Sequence, residues 1–512
     1  MGILTTFIQS LDSSEIYSIV FIGIISLVLY NVAFKSKADP NLPPMVPYTI
    51  PLVGSAIQYG INPIKFLEGC REKYGDCFTF LMFGRKLTFC LGSEGNYFVF
   101  NIPIANACAE GAYDILTVPV FGTEVVYDVP NSVFMEQKKF VKDALTTQAF
   151  KKYVPLIWDE ATEFFKTFKD NGEIDLFLQM SELTIRTASS CLMGKEIRAQ
   201  LHSNVAQLYL DLDGGFSPLN YFFRWLPLPN YFARDRAQKI MTETFKKILD
   251  DRRASSDTEN TDVLQALMDS TYKDGTKLSD NAIAHMMIAM LMGGQHTSST
   301  TSSWILFEIA RRPDVIDEII KEQSQVLTGK ADTPINQLPT FDYDQLRQMT
   351  YLDCVMKEAL RLHAPIHTVM RKVIKDVNYN GLNIPSGHFL CGSAAVSAFD
   401  AKQFNDPETF NPSRWLNSTE TQGEWTLNGV NISQKSAKSN FLPFGAGRHR
   451  CIGEAFAFLQ IKTIIANFVR TFEHKLVQKS QTGEPIFPQP DYTSMIVIPQ
   501  KKTPLAVKRR EF

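Results

Sequence analysis

The stretch Phe444-Gly-Ala-Gly447-Arg-His-Arg-Cys451-Ile-Gly453 decides how the rest of this chain is read. Its glycines predict a tight loop that presents one cysteine at the mouth of a helix. Thiolate is a soft, electron-rich ligand, and a helix N-terminus beside arginines favours its charged form. Glycine at 447 and 453 leaves room for a large flat group against the backbone. A lone cysteine held this way suits axial ligation of haem iron, where thiolate donates electron density and favours O–O cleavage. The competing reading is a structural cysteine buried beside a tight turn.

Composition bounds the rest. The chain has 512 residues, 45% hydrophobic and 12% aromatic, enough for a large core and too apolar for a disordered chain. A net charge of −2 gives no reason to expect a nucleic-acid partner. The 8 cysteines show no C-x-x-C spacing, which argues against a zinc site or a redox dithiol and fits a reducing compartment. Ile16 to Phe34 is uncharged and matches the ~20 residues needed to cross a bilayer. Asp12 and Glu15 precede it and Lys35 and Lys37 follow, which places the downstream side in the cytosol. Residues 1–37 are therefore expected to be a single-pass anchor in the endoplasmic reticulum membrane. A signal peptide is the rival, although a basic leading segment is missing. A buried core helix is the other, weakened by the run's place at the chain end. Residues 38–62 form a stiff proline-rich linker.

Residues 63–512 read as one mainly α domain with small β-sheets. Strands are expected at Cys77–Phe83, Lys86–Leu91, Val369–Ile374, His388–Gly392 and Ser494–Pro499. The longest helix signal runs from a Ser279/Asp280 cap to Arg312, stopped by Pro313. Its middle, Met292-Gly293-Gly294-Gln295-His296-Thr297 and a run of hydroxyl residues to Ser303, predicts an unwound step that makes space for a small ligand. Close helix packing by small residues is the plainer alternative. Glu358-Ala-Leu-Arg361 lies on a helix expected from Thr350 to Leu362, where the i, i+3 spacing pairs carboxylate with guanidinium. Pro407-Glu-Thr-Phe410-Asn-Pro412-Ser-Arg414-Trp415 supplies a second arginine on a proline-fixed turn.

These four segments, in this order, resemble cytochrome P-450 monooxygenases over essentially the whole chain. The resemblance implies that fold, with a long central helix and haem b bound through Cys451, flanked by Phe444 and Gly445. It also implies a structural charge triad of Glu358, Arg361 and Arg414, and makes Thr297 the distal hydroxyl that helps deliver protons to dioxygen. Two departures narrow it. His296 stands where most members carry an acid, and His449 where most carry arginine. Both are similar to sterol 14α-demethylases of fungal type, as are Tyr113-Asp-Ile-Leu-Thr-Val-Pro-Val-Phe121-Gly, Tyr127-Asp-Val-Pro-Asn-Ser, Met135-Glu-Gln-Lys138-Lys-Phe, Gly215-Phe216-Ser-Pro218-Leu-Asn220 and Asp491-Tyr-Thr-Ser494-Met495. Val118 and Ala289 depart from that pattern, where threonine and glycine are expected.

That narrower resemblance implies that Tyr113, Tyr127, Lys138, Arg371 and His449 hold the haem propionates. It implies an apolar sterol cavity walled by Phe121, Phe216, Tyr221, Met292, Gly293, Ile366, His367 and Met495, with His296 joining Thr297 in a proton relay. The expected reaction takes the 14α-methyl group of lanosterol or eburicol through three O2- and NADPH-dependent oxidations to formate. Electrons would come through a separate NADPH–cytochrome P-450 reductase, since no nucleotide-binding glycine fingerprint is visible. Azoles are expected inhibitors. Arg448, Arg450, Lys435 and Lys438 are candidates for the reductase-docking face, and the basic Lys501–Arg510 tail is read either as lying near anionic lipid or as frayed. Two rivals stay open: an oxygenase of the same fold acting on another lipophile, and a haem sensor or sterol carrier without catalysis.

Overall fold

The computed structural model describes residues 39–194, 203–254 and 262–511, less short stretches within 418–437, 478–484 and 501–502. The expected anchor at 16–34 lies outside the described residues, as does Lys435. Among the described residues no helix is long and apolar enough to cross a membrane.

One helix organises the body. It spans Asp280–Ala310, and the Ser279 hydroxyl caps it by accepting the Ala282 amide at 3.0 Å. It packs against helices Leu176–Leu192, Pro229–Ala254, Thr350–Leu362 and Glu454–Thr471. A helix enclosed on all sides must be apolar or self-satisfied all round. The second half meets part of this demand with hydroxyls turned onto its own carbonyls, while Thr300 Oγ1, Ser302 Oγ and Trp304 Nε1 stay buried without a partner. Thr301 Oγ1 donates to Thr297 O at 2.7 Å, and Ser303 Oγ donates to Ser299 O at 2.7 Å. Helical pairing continues through Gly293 and Gly294, so the expected unwound step is absent. Small hydroxyl residues serve close packing here without breaking the ladder.

The five-stranded sheet has the order Cys77–Met82, Arg85–Cys90, Phe389–Gly392, Val369–Val373, Ala107–Cys108. Only the pairing of Arg85–Cys90 with Phe389–Gly392 is parallel. Phe78 and Phe80 stack on Phe89 across the first hairpin, at 6.1 and 5.4 Å, and give it an apolar inner face. Four of the five expected strands match within a residue or so. The fifth shrinks to Ile498–Pro499, paired with Pro490–Asp491. The basic tail is not frayed. Pro504–Arg509 is the middle strand between Phe472–Leu476 and Asn171–Asp175, and Arg509 pairs with Asp170 at 2.7 Å. Val369–Val373 carries Arg371, so the sheet and the central helix bracket the site.

Candidate active site

The cysteine loop is closed by the Cys451 amide, which donates to Phe444 O at 2.9 Å. Gly445 and Gly447 both take positive φ, at 67° and 63°. A Cβ on Gly447 would stand 2.8 Å from the Phe100 carbonyl oxygen. Gly447 therefore serves the turn and this close approach, a different reason from the one expected. Cys451 is accessible by surface yet surrounded by enough protein for burial to push its thiol pKa up. That combination describes a side chain facing an interior space. Of its neighbouring arginines, Arg448 donates to Ile102 O at 2.7 Å, while Arg450 pairs with Glu454 and still pulls the thiol pKa back down. Lys138 spans the loop, donating to the carbonyls of Arg448 and Arg450 at 2.9 Å each.

Accessible positions also appear in the middle of the central helix. Ala289, Gly293 and Thr297, each four residues from the next, are accessible, together with the adjoining Met290 and Gly294. A Cβ built on Gly293 or Gly294 would meet nothing within 4 Å. The spacing puts the three on one face, so that face borders open volume. The Thr297 hydroxyl donates to Gly293 O at 2.9 Å. His296 is buried, and burial lowers its pKa while Asp213 pulls it back up. Its Nε2 lies 3.0 Å from Asp213 Oδ1 but out of hydrogen-bond alignment. The sequence reading missed Asp213. Nothing distinguishes it from nearby Asp211 until the fold turns one of them toward His296.

A third group gathers beside the cysteine loop. The Tyr113 and Tyr127 rings stack at 5.5 Å, and Tyr127 lies 6.0 Å from the His449 ring. Tyr113 Oη accepts the Met370 amide at 2.8 Å. Buried Arg371 follows in the same strand and opposes the upward push that burial gives both tyrosines. His449 is pushed down to about 3, by burial first and then by Arg371, Lys138 and Arg448. Its Nδ1 is buried without a partner. Several cations thus converge where a neutral histidine has a nitrogen to spare.

The expected cavity residues divide. Phe121 and Phe216 touch at 5.5 Å, and the Met495 amide donates to Phe216 O at 3.3 Å. Those three are thus brought together by the fold, and Gly293 is exposed on the central helix. His367 lies between Tyr59 and Tyr492, both 6.0 Å away, and burial depresses it to about 4. Met292 is buried on the packed side of the central helix, and Ile366 is exposed. Tyr221 lies beneath Arg85, 4.5 Å from its ring. A cleft of about 760 Å³ lined by Arg71, His363 and His367 does not reach Cys451 or Thr297. A second, of about 670 Å³, has Tyr127 in its wall.

Beneath the site, Glu358 is fully buried and saturated. It accepts from Arg361 at 3.0 and 2.8 Å, from Arg414 Nε at 2.9 Å, from Trp415 Nε1 at 2.8 Å and from the Asn411 amide at 3.0 Å. Arg361 also donates to the carbonyls of Ala398, Pro407 and Thr409. The model of the Cytochrome P450 family matches residues 43–507. The chain belongs to the cytochrome P450 family. It is similar to the lanosterol 14-alpha demethylase of Cunninghamella elegans, 46% identical over 97% of this chain and 96% of that one. It is also similar to the eburicol 14-alpha-demethylase of Uncinula necator, 42% identical over 95% and 93%. Among solved structures it resembles retinoic acid bound cyanobacterial CYP120A1, with a TM-score of 0.76 and 19% identity, covering 92% of this chain and 100% of that one. As a P450 the protein is a monooxygenase, and the family and fold imply haem-thiolate iron. The residues fit such a group: an accessible thiol on one side, open volume over Gly293 and Gly294 on the other, and at the edge cations with an unpartnered His449 nitrogen.

Proposed function

We propose that this P450 is a sterol 14α-demethylase, removing the 14α-methyl group of lanosterol or eburicol on the way to ergosterol. The observation that carries the reading is the pairing of an accessible Cys451 with the Ala289–Gly293–Thr297 face, joined to full-length similarity with enzymes of that name. Haem, when bound, supplies the iron at which dioxygen is reduced and the methyl group oxidised. The chain's own residues do the rest. Cys451 offers the sulfur ligand. Tyr113, Tyr127, Arg371 and His449 hold the two propionates, since a buried pair of carboxylates needs several donors. Lys138 would join them from the helix Asn131–Ala144, from which it also ties the carbonyls of the cysteine loop.

Phe121, Phe216 and Met495 bury the rigid hydrocarbon, which at ~25 cal/mol per Å² supplies most of the affinity. Thr297 Oγ1, now bonded to Gly293 O, would hold a proton for delivery into the open volume beside it. His296 and Asp213 form the path that returns protons from solvent. Three successive oxidations release formate and leave a 14,15 double bond. NADPH serves as electron source through a separate reductase, and azoles occupy the same pocket.

The membrane reading rests on two features. Ile16 to Phe34 ends shortly before the described body begins. Ile50, Leu52, Ile57, Leu219 and Trp225 are all exposed. Phe83 links the two segments that carry them, its ring packing on Phe222 and Phe223 at 4.9 and 5.1 Å while its amide donates to Val53 O. An apolar face with an outlying tryptophan suits a bilayer surface. The catalytic body then lies on the cytosolic side of the endoplasmic reticulum.

The test is turnover of purified protein with reductase, NADPH and lanosterol or eburicol. Formate and the 14,15-unsaturated sterol are expected in equal amounts. A tight sterol shift with no formate supports the carrier reading; no sterol shift supports a different lipophile. Thr297→Ala should divert electrons to peroxide, and normal product yield from it removes the proton role.

A further inference from the structure

The segment Gly122–Asp128 joins two parts of the site, since Phe121 precedes it and Tyr127 lies within it. Its backbone is held in a conformation that its sequence does not favour. Glu124 and Val126 take φ of 67° and 54°, left-handed values that a β-branched valine rarely adopts. Such values persist only where surrounding contacts impose them. The contacts come from two directions.

From the helix Asn131–Ala144, Gln137 is almost wholly buried. Its Nε2 donates to Glu124 O at 2.7 Å and to Tyr272 Oη at 3.0 Å, and its Oε1 accepts the Val126 amide at 3.4 Å. One side chain therefore ties the backbone of both strained residues. From the central helix, His285 lies against Gly122 so closely that a Cβ there would stand 2.5 Å from three ring atoms. Its Nδ1 donates to Thr123 O at 2.8 Å, which fixes that nitrogen as the protonated one. The cap residue Ser279 donates to Glu124 Oε2 at 2.5 Å, and Asn281 reaches its other oxygen at 3.5 Å. The loop is thus bolted to the start of the helix whose middle carries His296 and Thr297.

We infer that Gln137 and His285 are positioning residues, holding the strained Gly122–Asp128 loop so that Phe121 and Tyr127 keep their places at the sterol and haem edges. Neither touches substrate or cofactor; both act through the loop. Release of either tie lets Glu124 and Val126 relax toward ordinary dihedrals. That swings Tyr127 off Tyr113 and Phe121 off Phe216. The part concerning sterol rests on the demethylase reading; the part concerning loop and haem does not.

Gln137→Met keeps side-chain length and removes all three hydrogen bonds. His285→Leu removes the donor, and His285→Asn restores one. In the holoenzyme, backbone amides of residues 122–128 should exchange about tenfold faster in the first two variants, as expected for one or two lost buried bonds. Haem transfer to apomyoglobin should speed up, and the spectral Kd for lanosterol should rise about fivefold by the same reasoning. His285→Asn should return most of each change, while the melting midpoint moves little. Unchanged exchange at 122–128 overturns the proposal. So does faster exchange there with haem retention unaltered, because the loop is then not a strap. Uniformly faster exchange across the molecule, with no rescue by asparagine, overturns it too by marking plain structural residues. Should wild-type protein ignore lanosterol, the demethylase reading fails, and exchange with haem transfer still decides the strap.

Discussion

Two polar regions flank the same cofactor slot, and they are built on opposite terms. At Glu358 every charge is answered, by two guanidiniums, an indole and a backbone amide, and even the left-handed residue there, Asp406 at a φ of 47°, has its carbonyl held by Arg414. Around Tyr127 the backbone is strained, His449 Nδ1 is buried without a partner, and the cations Arg371, Lys138 and Arg448 help burial to keep that histidine neutral. The first arrangement is complete within the protein. The second is complete only with a group brought from outside. A saturated network makes rigid scaffolding, whereas unmet polar groups mark a place that binds.

The sharpest way to break that contrast is to remove the centre of the saturated region. Glu358→Ala leaves Arg361 and Arg414 as buried unpaired cations, an expected loss of about 3–5 kcal/mol. Folded holoprotein should be scarcely recoverable, measured by the yield of the carbon-monoxide band against total protein. Good yield would mean that the cluster is decorative. In the strained region Gly122→Ala adds a methyl where the His285 ring stands 2.5 Å away, at a φ of 98°. A loss of about 3 kcal/mol is expected, read from urea unfolding, with weaker sterol binding than the stability change alone explains.

A milder substitution separates charge from geometry. Arg414→Lys keeps the cation but has one compact donor group where arginine now reaches Glu358 Oε1 and the carbonyls of Asn405, Asp406 and Thr409. About 2 kcal/mol should go, seen in the denaturant midpoint, with turnover per bound haem unchanged. Reduced turnover per haem would tie the scaffold directly to chemistry.

The contrast also sets what the sequence could reveal. The Glu358–Arg361 pair lies one helical turn apart, and Arg414 and Trp415 sit on a turn fixed by Pro412, so short spacings encode the cluster. Cys451 was legible because its loop closes on itself through Phe444. The strap was not: Gln137, Tyr272 and His285 meet Gly122–Val126 only after distant helices dock. Asp213 stayed hidden for the same reason. The unwound helix was over-read from Gly293-Gly294, because glycine lowers helix propensity but a surrounding core outweighs it. Of the arginines assigned to the cysteine's charge, Arg450 does lower its pKa while pairing with Glu454, whereas Arg448 turns to Ile102 O.

The smallest expected effect concerns a proton on the scaffold side. His388 is buried beside Thr88, whose hydroxyl lies 2.9 Å from its Nδ1, and its pKa is lowered to about 4. Burial is the main cause, with Lys86 adding to it and Asp376 opposing it. An unfolded histidine titrates near 6.5, so between pH ~6.5 and ~4 the unfolded chain binds a proton that the folded one refuses. Stability from this group is therefore full above that window and falls as pH drops through it. Between pH 7 and 5 the loss should be about 1–2 kcal/mol. His388→Gln removes the titration, so the stability gap between wild type and variant should narrow by that amount at pH 5. A gap that stays constant would mean that His388 is hydrated in solution and that the start of the strand Phe389–Gly392 is looser than its pairing on both sides suggests.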